Sequence, residues 1–384
     1  MNNGTANGIA LHIPSTMPRE RSFFLHPHEG RNNDHLASSP HLAFVETPPI
    51  ENAAQHFQHQ YTIYRDSVEA MLSSLVDKPV PASLYDPMRY ILGIGGKRVR
   101  PVLAMIAAAA VGGNPHDALF GGIAVEILHN FTLIHDDIMD AAPTRRNMQT
   151  VHVKWNESAA ILSGDGMMAV AYQVMMRSAN LSRLRELVDA MNTGILEVCE
   201  GQAYDLEFQD RSYVALDEYF MMIEKKTAKM LELSVRAGGI LGNGSQAHID
   251  ALAKYALAIG IAFQVQDDLL DISATDAAKL GKTIGGDIIE GKKTYLIARA
   301  LEKRPTFNDR DQALLDEFIR NHGLPEERVP EMQDVFERNG IFASAKNEVE
   351  RLTSDAHKAL SVLPDNAGRS MLHQFALMLL ERSH

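Results

Sequence analysis

Two acidic clusters carry most of the chemistry this sequence could do. Asp136, Asp137 and Asp140 close the stretch EILHNFTLIHDDIMDAAPTRR from Glu126 to Arg146, and Asp267, Asp268 and Asp271 close FQVQDDLLD from Phe263. In each cluster the outer two carboxylates stand one helical turn apart on one face. Ile127, Leu128, Phe131 and Ile134 recur at three- and four-residue steps and predict a helix before the first cluster. Pro143 predicts its end, because proline disfavours helix in the residue before it. Carboxylates held this close repel each other, and a divalent cation is the simplest offset. Hard cations such as Mg²⁺ take oxygen ligands and are often held by one or two carboxylates plus substrate phosphates. One such cluster fits a solvated helix end equally well. Two, each closing an apolar helix and each followed by basic residues, do not.

The basic residues fall in three places. Arg145 and Arg146 follow the first cluster directly. Lys97, Arg98 and Arg100 lie in GIGGKRVRP, Gly93 to Pro101, at a predicted helix start with Pro101 in its first turn. Backbone amides at a helix start, joined by Lys and Arg, suit a phosphate. The spacing is not that of the P-loop, and no strand precedes it. A glycine-rich loop after Asp271 contributes Lys282, Lys292 and Lys293. Glu224-Lys225-Lys226-Thr227 lies on a helical background and reads as a solvated face unless that face points at anions. The economical account is that carboxylate pairs hold several Mg²⁺ ions and a diphosphate. Basic groups then neutralise the remaining oxygens, and the apolar helices beneath form a cavity for a hydrocarbon tail. The metal would make the diphosphate a good leaving group, and a dry pocket would protect the allylic carbocation left behind.

The elements that must position these groups are helical. Ala53 to Val76, Leu84 to Leu92, Ala159 to Ser178, Leu181 to Leu206, Ser212 to Ile240 and Ala247 to Leu270 all show helical patterning. Further helical patterns run through Leu301, Leu314 to Arg320, Val329 to Glu337, Ala343 to Leu352 and Gly368 to Arg382, and this last third reads as packing scaffold. No strand run is visible, so the predicted class is all-α. Residues 1–50 are rich in Asn, His, Pro, Gly and Ser without a period and read as a flexible leader; residues 51–384 are the expected folded domain. A net charge of −12 and a pI of about 5.7 argue against a nucleic-acid partner. The single cysteine, Cys199, excludes a disulfide framework and fits a cytoplasmic protein; its apolar helical setting predicts a buried bystander. No apolar run is expected to reach membrane-span length, the longest being Val102 to Val111. No secretory signal is evident.

From about residue 55 onward the sequence resembles the trans-isoprenyl diphosphate synthases, or polyprenyl synthetases. The marks are GGKRVRP at Gly95 to Pro101, LIHDDIMD at Leu133 to Asp140, Arg145-Arg146, Lys226-Thr227, FQVQDDLLD at Phe263 to Asp271 and GKTIGGD at Gly281 to Asp287. The resemblance implies one large all-α domain with helices around a central cavity, usually a homodimer. It implies Mg²⁺, three ions per active site, and two substrates: isopentenyl diphosphate and an allylic diphosphate (dimethylallyl, geranyl or farnesyl). By the same resemblance Asp136, Asp140, Asp267 and Asp271 would be metal ligands, with Asp137 and Asp268 secondary. Lys97, Arg100, His129 and Arg146 would hold isopentenyl diphosphate. Arg145, Lys226, Thr227, Gln264, Lys282 and Lys292 would hold the allylic diphosphate or assist its departure. His129 and His135 also fit as hydrogen-bonded helix residues. Asn147 stands where the family commonly has glycine, a small departure since Asn tolerates unusual backbone angles. A terpene cyclase would share the ionisation but need not bind a second diphosphate, and a silent subunit is set against by two intact acidic motifs.

Product length is expected to depend on the helix below Asp136. Phe131 lies five residues earlier, roughly 7 Å deeper at about 1.5 Å per residue. Thr132 lies one turn below Asp136 on nearly the same face, with Leu128 and Val125 deeper. An aromatic at 131 is similar to synthases making shorter chains. Geranylgeranyl diphosphate is therefore the favoured product, farnesyl diphosphate the second and longer chains the third. Met167, Met168 or a residue across a dimer interface are the alternative floor.

Overall fold

The structure is a computed structural model that describes residues 52–178, 180–273 and 284–380. Ile50–His384 forms one compact unit, and the described part of it is almost wholly helical. Asn52 caps α1 (Ala53–Leu75), its side chain accepting from the Gln55 amide at 2.9 Å, which satisfies one of the amides a helix start leaves orphaned. Next come α2 (Ala82–Gly93), α3 (Val99–Ala110) and α4 (Leu119–Met139), the helix of the first acidic cluster.

α4 is the axis of the molecule. Gly121 to Leu128 are buried without a break. It packs on α3, on α6 (Glu157–Met175) and on α9 (Lys229–Leu241). A helix apolar all round belongs inside other helices. By length and composition, Pro115–Met139 would also suffice to cross a membrane, yet 67% of its most apolar window is buried within the protein. The expectation that no stretch approaches span length is corrected to this extent. α7 (Leu184–Gln209) flanks α9 on its other side. α4 and α7 scarcely pack on each other, and across this gap, the cleft, Asp136 at the end of α4 is coupled electrostatically to Lys226 and to Cys199 of α7.

α10 (Gln246–Ser273) joins two cores. Leu252 and Ile259 belong to the core around α4, whereas Val265, Leu269 and Ile272 belong to a second one. That second core includes Tyr219 of α8 (Leu216–Ile223). It continues with Leu296 of α12 (Tyr295–Lys303), Phe318 of α13 (Asp309–Asn321), Phe336 of α14 (Val329–Arg338) and Ile341 of α15 (Ile341–Ala359). Between α10 and α12 lies the short α11 (Gly286–Ile289), and α16 (Ala367–Leu380) returns to pack on α3.

Three details depart from the periodicity. The helix expected over Ser212 to Ile240 is α8 and α9 joined by a π-helical turn, Glu224–Ala228. The expectation of no strand gives way to a two-residue ribbon, Thr144–Arg145 paired with Met148–Gln149, ahead of the short α5 (Val151–Lys154). Strands this short leave no period to read. Cys199 is exposed, not buried. The leader, residues 1–50, lies outside the described residues.

Candidate active site

α4 ends by a left-handed turn: Ala141 has φ +48° and the Ala142 amide donates to the Asp137 carbonyl at 3.0 Å, the way helices commonly stop ahead of a proline. This leaves Asp136 half-buried and Asp140 exposed on one face at the helix end. Asp137 points the other way and is 1% exposed. Its carboxylate accepts from Arg145 at 2.8 Å. The ribbon turns at Arg146 (φ +51°) and Asn147 (φ +61°), two left-handed residues as a tight hairpin turn requires. Asn147 therefore does take up the backbone angle for which glycine is the usual choice. The turn sends Arg145 back to Asp137 and Arg146 to the Gly95 carbonyl. Gly96 makes room for it: a Cβ there would sit 2.8 Å from Arg146 Nη1.

That contact brings the GGKRVRP turn beside the arginine ribbon. Lys97 is exposed and Arg100 half-buried. Arg98 belongs elsewhere, contrary to its grouping with them: it is 3% exposed and pairs with Glu69 at 2.7 Å and Glu126 at 3.1 Å. His129, two turns below Asp136, is held well below the usual histidine range by burial and then by Arg100, Arg146 and Arg145. Three guanidinium groups acting on one imidazole indicate positive surroundings for His129.

Across the cleft, the π-helical turn carries Lys226 and Thr227, and such turns are frequent at functional sites. Lys226 Nζ pairs with Asp205 of α7. Gly201 lets α7 lie against this turn, since a Cβ there would be 2.2 Å from the Lys226 amide nitrogen. The Thr227 hydroxyl donates to the Gln264 side-chain oxygen at 3.1 Å, and the Gln264 amide donates to Asp268 at 3.0 Å. Asp268, 5% exposed, also accepts from the Tyr219 hydroxyl at 2.6 Å and the Tyr295 amide at 2.8 Å. Asp267 and Asp271 are half-buried. Asp271 accepts from the Asp287 amide at 3.1 Å. Lys292 bonds Asp287 at 3.2 Å and Glu290 at 2.7 Å. Lys282 lies outside the described residues.

Electrostatics ties the two sides together. The Asp136 carboxyl is pushed up to about 6 by burial; Lys226 and Arg145 act against this, and Asp140 and Asp137 add to it. Asp287 is likewise raised, by burial first, and it feels Asp267. Asp205 and Asp287 are thus site residues that the sequence reading passed over; the GKTIGGD motif signalled Asp287, and only folding joins Asp205 to Lys226.

Of the two residues expected to set product length, Thr132 is half-buried and donates to the His129 carbonyl at 2.8 Å. Phe131 is 6% exposed, its ring edge-on to His135 at 4.8 Å. His135 in turn fills the space above Gly164 of α6. Phe131 therefore faces the α4–α6 seam. Leu128 and Val125, one and two turns below Thr132, show no exposed surface.

These features agree with the comparisons. Residues 81–336 match the polyprenyl synthetase family model. A short chain isoprenyl diphosphate synthase of Methanothermobacter thermautotrophicus is 37% identical over 321 residues, covering 84% of this chain and 97% of its own. A geranylgeranyl diphosphate synthase of Methanosarcina mazei is 36% identical, covering 83% and 95%. The crystal structure of geranylgeranyl pyrophosphate synthetase from Pyrococcus horikoshii superposes with a TM-score of 0.79 at 33% identity, covering 85% and 99%. The chain belongs to the polyprenyl synthetase family, and its activity is that of a prenyltransferase.

Proposed function

We propose that this prenyltransferase joins isopentenyl diphosphate to an allylic diphosphate and releases geranylgeranyl diphosphate. The observation that carries the reading is two groups of charged residues: Asp136 with Asp140 and Lys226, to which the second motif adds Asp267, and His129 with Arg100 and Arg146, beside which lies Lys97. Two diphosphates need two cationic sites, and a cyclase needs one.

The donor set fits Mg²⁺. Asp136 and Asp140 make no ion pair among the described residues, and burial has raised the Asp136 carboxyl, so a cation there would relieve a real cost. No three acidic, histidine or cysteine side chains among the described residues close a metal cage by themselves, which suits an ion that completes its shell with substrate phosphates. Asp136 and Asp140 would hold ions at the first motif, and Asp267 and Asp271 at the second. When bound, Mg²⁺ neutralises charge developing on the leaving diphosphate.

The protein's own groups do the rest. Lys226, Thr227 and Lys292, with Lys282, orient the allylic diphosphate, and Arg145 steadies Asp137 behind the first cluster. The C1–O bond breaks and its electron pair leaves with the diphosphate. Lys97, Arg100 and Arg146 hold isopentenyl diphosphate so that its double-bond electrons form the new C–C bond. The proton then lost passes to the released diphosphate, so no side-chain base is needed. His129 can donate to a phosphate oxygen. Exposed Ile161 and Leu162 of α6 and Leu196 of α7 support a homodimer, and the single cysteine supports a cytoplasmic setting. The test is incubation with Mg²⁺, labelled isopentenyl diphosphate and each allylic starter, followed by chromatography of the dephosphorylated products. Geranylgeraniol is expected. A cyclic hydrocarbon formed without consumption of isopentenyl diphosphate would show a cyclase, and no turnover a silent subunit.

A further inference from the structure

α7 presents one buried stripe, in which Leu187, Met191 and Val198 are apolar and Gln202 is not. Leu187, Met191 and Val198 pack into the core around α4. Gln202 continues the stripe upward to the level of the charged site. One neighbour in sequence, Gly201, touches the Lys226 backbone, and Asp205, three residues on, pairs with Lys226. Gln202 is 8% exposed, and neither its amide nitrogen nor its amide oxygen has a hydrogen-bond partner. Leaving a buried donor or acceptor unmet carries its full desolvation cost, and here both are unmet. Nearby polar groups show what a satisfied position looks like: Gln264 uses its oxygen on Thr227 and its nitrogen on Asp268.

We propose that Gln202 is a catalytic residue whose amide meets the reacting end of the allylic diphosphate. The inference rests on the condensation reading above. The ligand chemistry follows from the two unmet atoms, one a donor and one an acceptor. An allylic diphosphate offers anionic oxygens to the N–H groups. As the C1–O bond breaks, positive charge spreads from C1 to C3 and draws the amide oxygen. Both halves of the dipole are then engaged across the breaking bond, and most fully when that bond is most broken. Such binding favours the transition state over the bound substrate, so it raises turnover more than affinity.

The test is Gln202→Met, which keeps the length of the side chain and removes the dipole. An unsatisfied polar group exchanged for an apolar one of the same shape should leave the substrate-free fold as stable or more stable. The expected result is an unchanged or higher melting temperature, a kcat lowered by roughly 10-fold or more, and a KM for isopentenyl diphosphate within about 2-fold of the parent. An unchanged kcat would overturn the proposal. So would a lowered melting temperature, since Gln202 would then be serving the fold. Asp136→Asn and the unsubstituted protein are run alongside: if the unsubstituted protein performs no condensation, the reading of the reaction fails, a result distinct from normal turnover in Gln202→Met.

Discussion

The two acidic motifs have the same spacing and are built differently. In the first, the middle carboxylate, Asp137, is spent on Arg145, so the motif recruits its own basic neighbour through a hairpin. In the second, the middle carboxylate, Asp268, is spent on Tyr219, Gln264 and the Tyr295 amide, so the motif fastens α10 to two other elements, α8 and α12. Asp140 lies exposed at a helix end, whereas Asp271 is tied to the loop that follows through the Gly285 and Asp287 amides. One pattern thus hides a division of labour. The middle residue of each motif holds the architecture, and the outer residues are left for the cation. The second motif is the more firmly pre-set.

The largest effect that division predicts is on turnover. Asp136→Ala and Asp267→Ala should each lower kcat by roughly 10²-fold or more while leaving the helical content intact; near-normal steady-state rates from either folded variant would remove the metal assignment. Next is a stability difference between the middle residues. Asp268→Ala strands three donors, two of them buried, and should cost about 3 kcal/mol or more, read as a lower denaturant midpoint. Asp137→Ala frees Arg145, which can reach solvent, and should cost less. Equal losses would mean that the motifs are built alike.

The helices, both acidic motifs and the basic turns could be read from the sequence because each rests on local spacing. What escaped it depends on contacts between distant residues. Arg98 looks like its neighbours Lys97 and Arg100, and only folding reveals Glu69 and Glu126 waiting for it. The α8–α9 junction keeps its apolar pattern through a π-helical turn that adds no marker residue. A buried glutamine such as Gln202 is indistinguishable in sequence from a solvated one. Cys199 sits in an apolar pattern yet lies at the open edge of the cleft, where Asp136 helps to raise its thiol, after burial.

Smaller effects sharpen the contrast between the two diphosphate sites. Lys97→Ala should raise the KM for isopentenyl diphosphate about 10-fold, more than that for the allylic partner; initial-rate kinetics with each substrate varied will show it, and a selective loss of allylic affinity would reverse the assignment. Phe131 packs in the α4–α6 seam beside His135, and removing its ring opens that seam next to Thr132, so Phe131→Ala should lengthen the product at similar consumption of isopentenyl diphosphate. It should also lower stability by about 3 kcal/mol, the usual order for a buried phenylalanine. An unchanged product in a folded, active variant would move the floor to Met167, Met168 or a residue across a dimer interface. Deleting residues 1–50 should change kcat by less than about 2-fold, because their composition builds no core; a folded but inactive truncation would give the leader a part in the site.

The central claim is that the outer carboxylates of both motifs serve one assembly, and a double-mutant cycle tests it most directly. Turnover is measured for the parent, Asp136→Asn, Asp267→Asn and the double variant at saturating Mg²⁺ and both substrates. If each motif is useless without the other, the double variant should be little slower than the slower single variant, as residues acting as a unit are grossly non-additive. Losses that multiply would mean two independent sites and would contradict the account.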